Sequence, residues 1–199
     1  MKIEITAIGF ATVMLALASG LPLTADAEQM VDVKMRFAGA FATNINHVDP
    51  MTGNTVDSSL IHVQAKGNLG RAEIRGFGGR SMAPAPTPMG SCLGSEGLFL
   101  SFEITENPLV FIFKDLSLLF AKGGSGMVCI DLLNPGITTF EIEIEFMGGR
   151  GRFEGATGVA VIKGNGEAVS ADGSFIGETG TIDGWISAPF NGENKHNDD

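Results

Sequence analysis

Tyrosine is absent from the 199-residue chain and tryptophan occurs once, at Trp185. Rings of that kind are the usual platforms for stacking bases and sugars, so a nucleic-acid or carbohydrate module lacks its main contact surface. Basic residues are also scarce: 13 Lys and Arg face 23 Asp and Glu, a formal charge of −10. Such a surface is repelled by phosphate backbones and anionic lipid, which excludes nucleic acid as an expected partner. His47, His62 and His196 show no His-x-His or His-x3-His spacing, and Cys92 and Cys129 are far from Cys-x2-Cys. No metal site and no cofactor are therefore expected. A Gly-x-Ser-x-Gly elbow is missing as well, which leaves a nucleophilic hydrolase without its usual signature.

What is present begins with an export signal. Lys2 precedes an apolar stretch from Ala7 to Ala18, the helix-breaking Gly20-Leu21-Pro22, and a small-x-small site at Ala25-Asp26-Ala27. The stretch is shorter than the roughly 20 residues a membrane helix needs. Residues 1–27 are thus read as a cleaved signal peptide, the mature chain as having no stable membrane insertion, and the location as periplasmic or extracellular. Removing Lys2, Glu4 and Asp26 brings the formal charge from −10 to −9. The remainder suits a single domain over 28–190, ending in a polar tail over 191–199 with nothing apolar to bury. In an oxidising compartment Cys92 and Cys129 are expected to pair, the alternative being two buried thiols.

Period two dominates the mature sequence. Val31, Val33, Met35 and Phe37 alternate with Asp32, Lys34 and Arg36, and Phe140, Ile142, Ile144 and Phe146 alternate with Glu141, Glu143 and Glu145. Each reads as a strand with one dry face. Further strands are expected at 59–66, 70–77, 98–105, 109–114, 116–122, 126–132, 159–163, 167–175 and 181–187. Convincing helical periodicity is lacking, so the fold class is all-β, a sandwich or barrel. The apolar run over 109–123 could by itself be helix or strand; its phenylalanines and the central Lys114-Asp115 favour a hairpin. "MAPAPTPMG", residues 82–90, places Pro84, Pro86 and Pro88 at alternate positions and reads as a loop bridging or covering one barrel end.

"GGRGRFEGATG", residues 148–158, invites comparison with phosphate-binding loops. A dinucleotide fingerprint counted from Gly149 and Gly151 needs glycine where Glu154 stands, and the β-branched run that follows is no helix N-terminus. Gly148, Gly149, Gly151, Phe153, Gly155 and Gly158 instead read as a structural turn. The pattern Gly-x-Phe-x-Gly-x-Thr-Gly recurs from Gly173, which suggests a second turn at the same end of a neighbouring hairpin. Glu141, Glu143 and Glu145 lie about 6.5–7 Å apart along one face, too far for neighbours to share a small cation unaided. They read as a solvated face that Arg150 and Arg152 partly neutralise. Arg71 and Arg75 share strand parity and could face one ligand together; the alternative is pairing with acids on a solvated face.

Several stretches resemble a known family. "GGRGRFEGATG" resembles the Gly-Gly-Thr-Gly-Arg-Phe-x-Gly-Ala-Thr-Gly turn of small exported bacterial proteins related to the allene oxide cyclase and dirigent barrels. "GNLGRAEI", "FIFKDLSLLF" and "GSFIGETGTIDGWI" are similar to the family's early strand, central hairpin and closing strands, across residues 60–187. Arg150 stands where the family has Thr. The resemblance implies a single antiparallel barrel of about eight strands with an apolar lumen, and a homo-dimer or homo-trimer. Characterised relatives steer the cyclisation or coupling of a hydrophobic intermediate, but no catalytic position maps onto this chain, and a fold does not carry its activity with it. The leading functional expectation is a small hydrophobic ligand bound in the lumen without chemistry. Candidate lumen residues are Phe102, Phe111, Phe113, Phe140, Ile142, Ile144, Phe146, Arg71 and Arg75. The alternatives are a cyclase or isomerase in the same lumen, which would need an inward-facing charged group, and a structural protein with a packed barrel.

Overall fold

Alternating segments become strands almost throughout the computed structural model, which describes residues 29–48, 55–81, 91–93 and 95–188. The signal peptide expected over 1–27, the proline segment 82–90 and the tail over 191–199 lie outside the described residues. In chain order the strands are β1 (Gln29–Val48), β2 (Thr55–Gly67), β3 (Gly70–Ser81), β4 (Ser91–Cys92), β5 (Ser95–Glu96), β6 (Phe99–Glu106), β7 (Leu109–Phe113), β8 (Leu118–Asp131), β9 (Ile137–Arg150), β10 (Thr157–Ala168) and β11 (Phe175–Ala188). β4 and β5 pair with each other. The other nine form one sheet in the order β2-β1-β11-β10-β9-β8-β6-β3-β7, and the added pairings β2–β3 and β7–β8 curl it into a barrel-like ring. β6 and β7 both lie antiparallel to β3 and β8, so they form one broken stave of eight.

The dry parity of each strand turns inward. Val33, Met35 and Phe37 on β1, Phe140, Ile142, Ile144 and Phe146 on β9, and Ile182 and Ile186 on β11 are all buried in one core. The glutamates of β9 point outward, where Lys163 pairs with Glu141 and Lys122 with Glu145, each at 2.9 Å, while Ser125 donates to Glu143 at 2.8 Å. Neutralisation therefore comes from cross-strand lysines rather than from Arg150 and Arg152.

Two expected strands, 116–122 and 126–132, are a single strand. β8 bulges between Gly123 and Gly126 against β9, and the extra residue exchanges its inward parity from Leu119 and Ala121 to Val128 and Ile130. The neighbouring stave breaks at the same height. Pro108 has no N–H to give a ladder, the pairing of β3 with β6 shifts, and Gly123 N–H donates to the Asn107 carbonyl at 2.8 Å. Together the two irregularities turn the Asn107 side chain inward. The expected strand over 167–175 is also corrected: β10 stops at Ala168 and residues 169–174 turn. There Asp172 accepts from Ser174 N–H and Oγ, at 3.1 and 2.7 Å, and Gly173 takes φ +67°.

Residues 148–158 close one end of the barrel. Gly148, Gly151 and Gly155 take φ of +101°, +67° and +72°, conformations that side chains oppose. Between them a 3-10 turn, Gly151–Phe153, drives Phe153 into the lumen, fully buried and 4.7 Å from the Phe113 ring centroid. The Arg152 guanidinium lies 4.6 Å from the centroids of both rings and donates to the Leu69 carbonyl at 2.6 Å. Its Nε stands 3.2 Å from Asp115 Oδ2, a charge contact without hydrogen-bond alignment. One arginine thus joins the β2–β3, β7–β8 and β9–β10 turns. The echo at Gly173 belongs to the β10–β11 turn, at the opposite end, because successive antiparallel hairpins alternate ends. The two copies do not share an end as expected.

Cys92 and Cys129 form a disulfide, with Cα atoms 6.1 Å apart. Val128 and Ile130 face the lumen, so Cys129 between them projects outward and tethers the β4–β5 hairpin to the barrel's outer wall. Among the described residues no helix is long and apolar enough to cross a membrane.

Candidate functional site

Among the described residues, the barrel is packed at one end and keeps a cavity toward the other. Below, Phe111 meets Phe146 edge-on at 6.0 Å, and Ile144, Phe113 and Phe153 fill the space down to the Arg152 turn. At mid-height, Phe37, Gly180, Gly164 and Phe140 follow one another across β1, β11, β10 and β9. The two glycines carry no side chains, so the Phe37 and Phe140 rings fold over them with centroids 6.3 Å apart. A Cβ on Gly180 would stand 2.6 Å from Phe37 Cζ, and one on Gly164 2.5 Å from Phe140 Cζ. These rings floor a cavity of about 340 Å³ that reaches the mouth.

Its wall is mainly apolar, with Ile61, Ile104, Val128, Ile142, Ile162 and Ile182 among the contributors. Polar groups are few. Thr43, Ser59, Asn107 and Thr138 are the uncharged ones, and Arg80, Asp172 and Glu178 the charged ones. Asn107 is 2% exposed, and neither of its amide atoms has a hydrogen-bond partner; Thr138 Oγ1 is buried and unpartnered too. The Arg80 guanidinium stacks 5.0 Å from the Phe102 centroid. Asp172 sits in the β10–β11 turn, where hydrogen bonds, first from the Ser174 hydroxyl, hold its pKa down at about 2.

Among the described side chains, Glu178 is the one carboxylate on an inward strand position. It shares parity with Ile182 and Ile186, is 8% exposed, and its pKa is pushed up to about 7 by burial alone. Its sequence neighbourhood reads as a glycine-rich turn, which obscures it. The available signal is a Glu on the apolar parity of the strand that ends in Ile182 and Ile186.

The sequence candidates divide three ways. Phe140 and Ile142 line the cavity; Phe111, Phe113, Ile144 and Phe146 point inward but belong to the packed half. Phe102 is half-buried under Arg80. Arg71 and Arg75 are corrected: both are exposed on the outer wall, because Ala72 and Ile74 take the inward parity of β3, and Arg75 pairs with Glu73, which also meets His62 at 2.8 Å. Among the described residues, no three His, Cys, Asp or Glu side chains gather where they could hold a metal ion.

Fold and site define a class: an antiparallel barrel, plugged at one end, with an apolar cavity toward the other and a buried carboxylic acid in its wall. No family model matches the chain, and no curated protein matches it. Among solved structures it is similar to a pterocarpan synthase dirigent protein, at 13% identity and a TM-score of 0.38 over 89% of this chain and 99% of that one. A likeness this distant transfers neither residues nor chemistry.

Proposed function

We propose that the protein binds a small, mainly apolar ligand in the mouth half of the barrel and releases it unchanged. One observation carries this reading: Phe111, Phe113, Phe146 and Phe153 fill the closed half, whereas the other half keeps about 340 Å³ behind an apolar wall with a few unpartnered polar side chains. Protein interiors normally close such volumes, and ligand sites normally combine these features. Export to an oxidising compartment belongs to the same reading, supported by the Cys92–Cys129 bridge. The test is titration with the neutral apolar dye N-phenyl-1-naphthylamine, alongside native mass spectrometry for a retained ligand and the oligomeric state. Ile142→Trp, which fills the cavity, should weaken dye binding at least 10-fold, while Phe146→Leu in the closed half should leave it within 2-fold. Equal dye binding in both variants would refute the site.

A second reading has one observation in its favour. Glu178, with a pKa of about 7 in the wall of an apolar cavity, is suited to general acid or base catalysis on a hydrophobic substrate. Turnover of a bound compound that disappears in Glu178→Gln would replace the binding reading with this one.

A further inference from the structure

Glu178 occupies a built notch. Thr138, Gly166, Glu178 and Gly39 are successive partners across β9, β10, β11 and β1, so a glycine flanks the carboxylate on each side. The Thr138 hydroxyl leans over Gly166, 2.5 Å from where a Cβ would stand, with about 9.5 Å of sheet between the Thr138 and Glu178 backbones. Asn107 lines the same cavity from the broken stave, four positions around the eight-stave ring from β11 and therefore opposite it. Glu178, Thr138 and Asn107 each bring an oxygen that accepts hydrogen bonds; Thr138 Oγ1 and both amide atoms of Asn107 have no partner among the described residues, and burial is the one influence on Glu178.

The charges facing the cavity settle what these acceptors suit. Among the described side chains, β1 and β10, which flank Glu178, bring no charged group to the wall. The others facing it are Arg80 of β3, engaged with the Phe102 ring, and Asp172 of the β10–β11 turn, bonded to Ser174. Among the described side chains the wall therefore sums to one negative charge with every group ionised. An anionic ligand would meet an uncompensated carboxylate, and a neutral one would leave that carboxylate desolvated and unpaired, which is costly. A cation satisfies it, and the Phe37, Phe41 and Phe140 rings in the same wall favour a cation further.

Resting on the ligand-binding reading above, we propose that the cavity's occupant is a hydrophobic monocation, an alkyl- or arylalkylammonium whose N–H groups are held by Glu178 with Thr138 and Asn107 as further acceptors. The apolar part lies on the Phe37–Phe140 floor. The acidic surface, −10 over the full chain, draws such a ligand toward the mouth.

The experiment compares 4-phenylbutylamine, 4-phenylbutan-1-ol and 4-phenylbutanoate by displacement of N-phenyl-1-naphthylamine at pH 8 and pH 5.5. At pH 8 the amine should bind at least 10-fold more tightly than the alcohol, with the carboxylate weakest. Because protonation of Glu178 removes the binding-competent form, the amine's affinity should fall about 30-fold by pH 5.5, while the alcohol's holds or rises. Glu178→Gln should lose the amine preference and its pH dependence while holding the alcohol within about 3-fold; the pH series on the unaltered protein tests the same point without a substitution. An alcohol that binds as tightly as the amine, or a preference that survives in Glu178→Gln, overturns the inference. If the dye binds while the amine has no advantage, this inference alone fails. If neither dye nor probes bind, the ligand-binding reading fails with it.

Discussion

Replacing Glu178 by Gln should make the protein more stable at pH 8 and nearly unchanged at pH 4.5. Burial raises the carboxyl's pKa from 4.5 to about 7, so the native state holds that proton more tightly than the unfolded chain does. Between those values the folded protein binds more protons than the unfolded one, and stability falls as pH rises. Above pH 7 the full penalty is present: a shift of this size corresponds to about 3 kcal/mol. Glutamine keeps the shape and the hydrogen-bonding capacity of the neutral acid and never ionises. Urea unfolding of both proteins at pH 4.5, 6 and 8, with the disulfide intact, isolates this group because all other titrations are common to both. The difference in unfolding free energy should grow from near zero to about 3 kcal/mol, or roughly 6–12 °C in Tm. A difference that is constant with pH, or that grows toward low pH, would mean that Glu178 is solvated in the folded state, and the cavity wall would have to be redrawn.

Arg152→Ala should cost about 2 kcal/mol, since it removes two ring-stacking contacts and leaves Asp115 and the Leu69 carbonyl without their partner; dye binding at the far end should not change, and chemical denaturation with dye titration reads both. Reduction, or Cys92→Ser with Cys129→Ser, should lower stability by about 3–4 kcal/mol for a loop closed over 37 positions, with two alkylatable thiols appearing only after reductant treatment. Gly164→Ala should destabilise by about 1–3 kcal/mol, because its Cβ would stand 2.5 Å from Phe140 Cζ; a neutral effect in thermal unfolding would show that the rings do not cover the glycines as described.

The alternation of Phe140 to Phe146 with three glutamates was enough to define β9 and its dry face, because a strand's period is two and one side was wholly apolar. The hairpin around Lys114-Asp115 and the turn at residues 148–158 were legible for similar local reasons, apolar runs broken by residues that tolerate a bend. Parity could not be followed through the bulges at Gly123–Gly126 and Asn107-Pro108, since one inserted residue exchanges the faces and leaves no trace in composition. That hid Asn107 from the site and split β8 in two. Arg71 and Arg75 were misplaced for a related reason: shared parity says that two side chains lie together, not which side of the wall they occupy.

Sequence by itself determined the fold class, the dry strands and the glycine turn, because backbone preference and period-two hydrophobicity are local properties. Only the closed barrel decided that one end is plugged by Arg152 and Phe153 while the described residues of the other half line a cavity. Only register across four strands set Glu178 between Gly39 and Gly166 with Thr138 alongside. Those residues are far apart in the chain, and their meeting depends on how the ring closes, which no local pattern encodes.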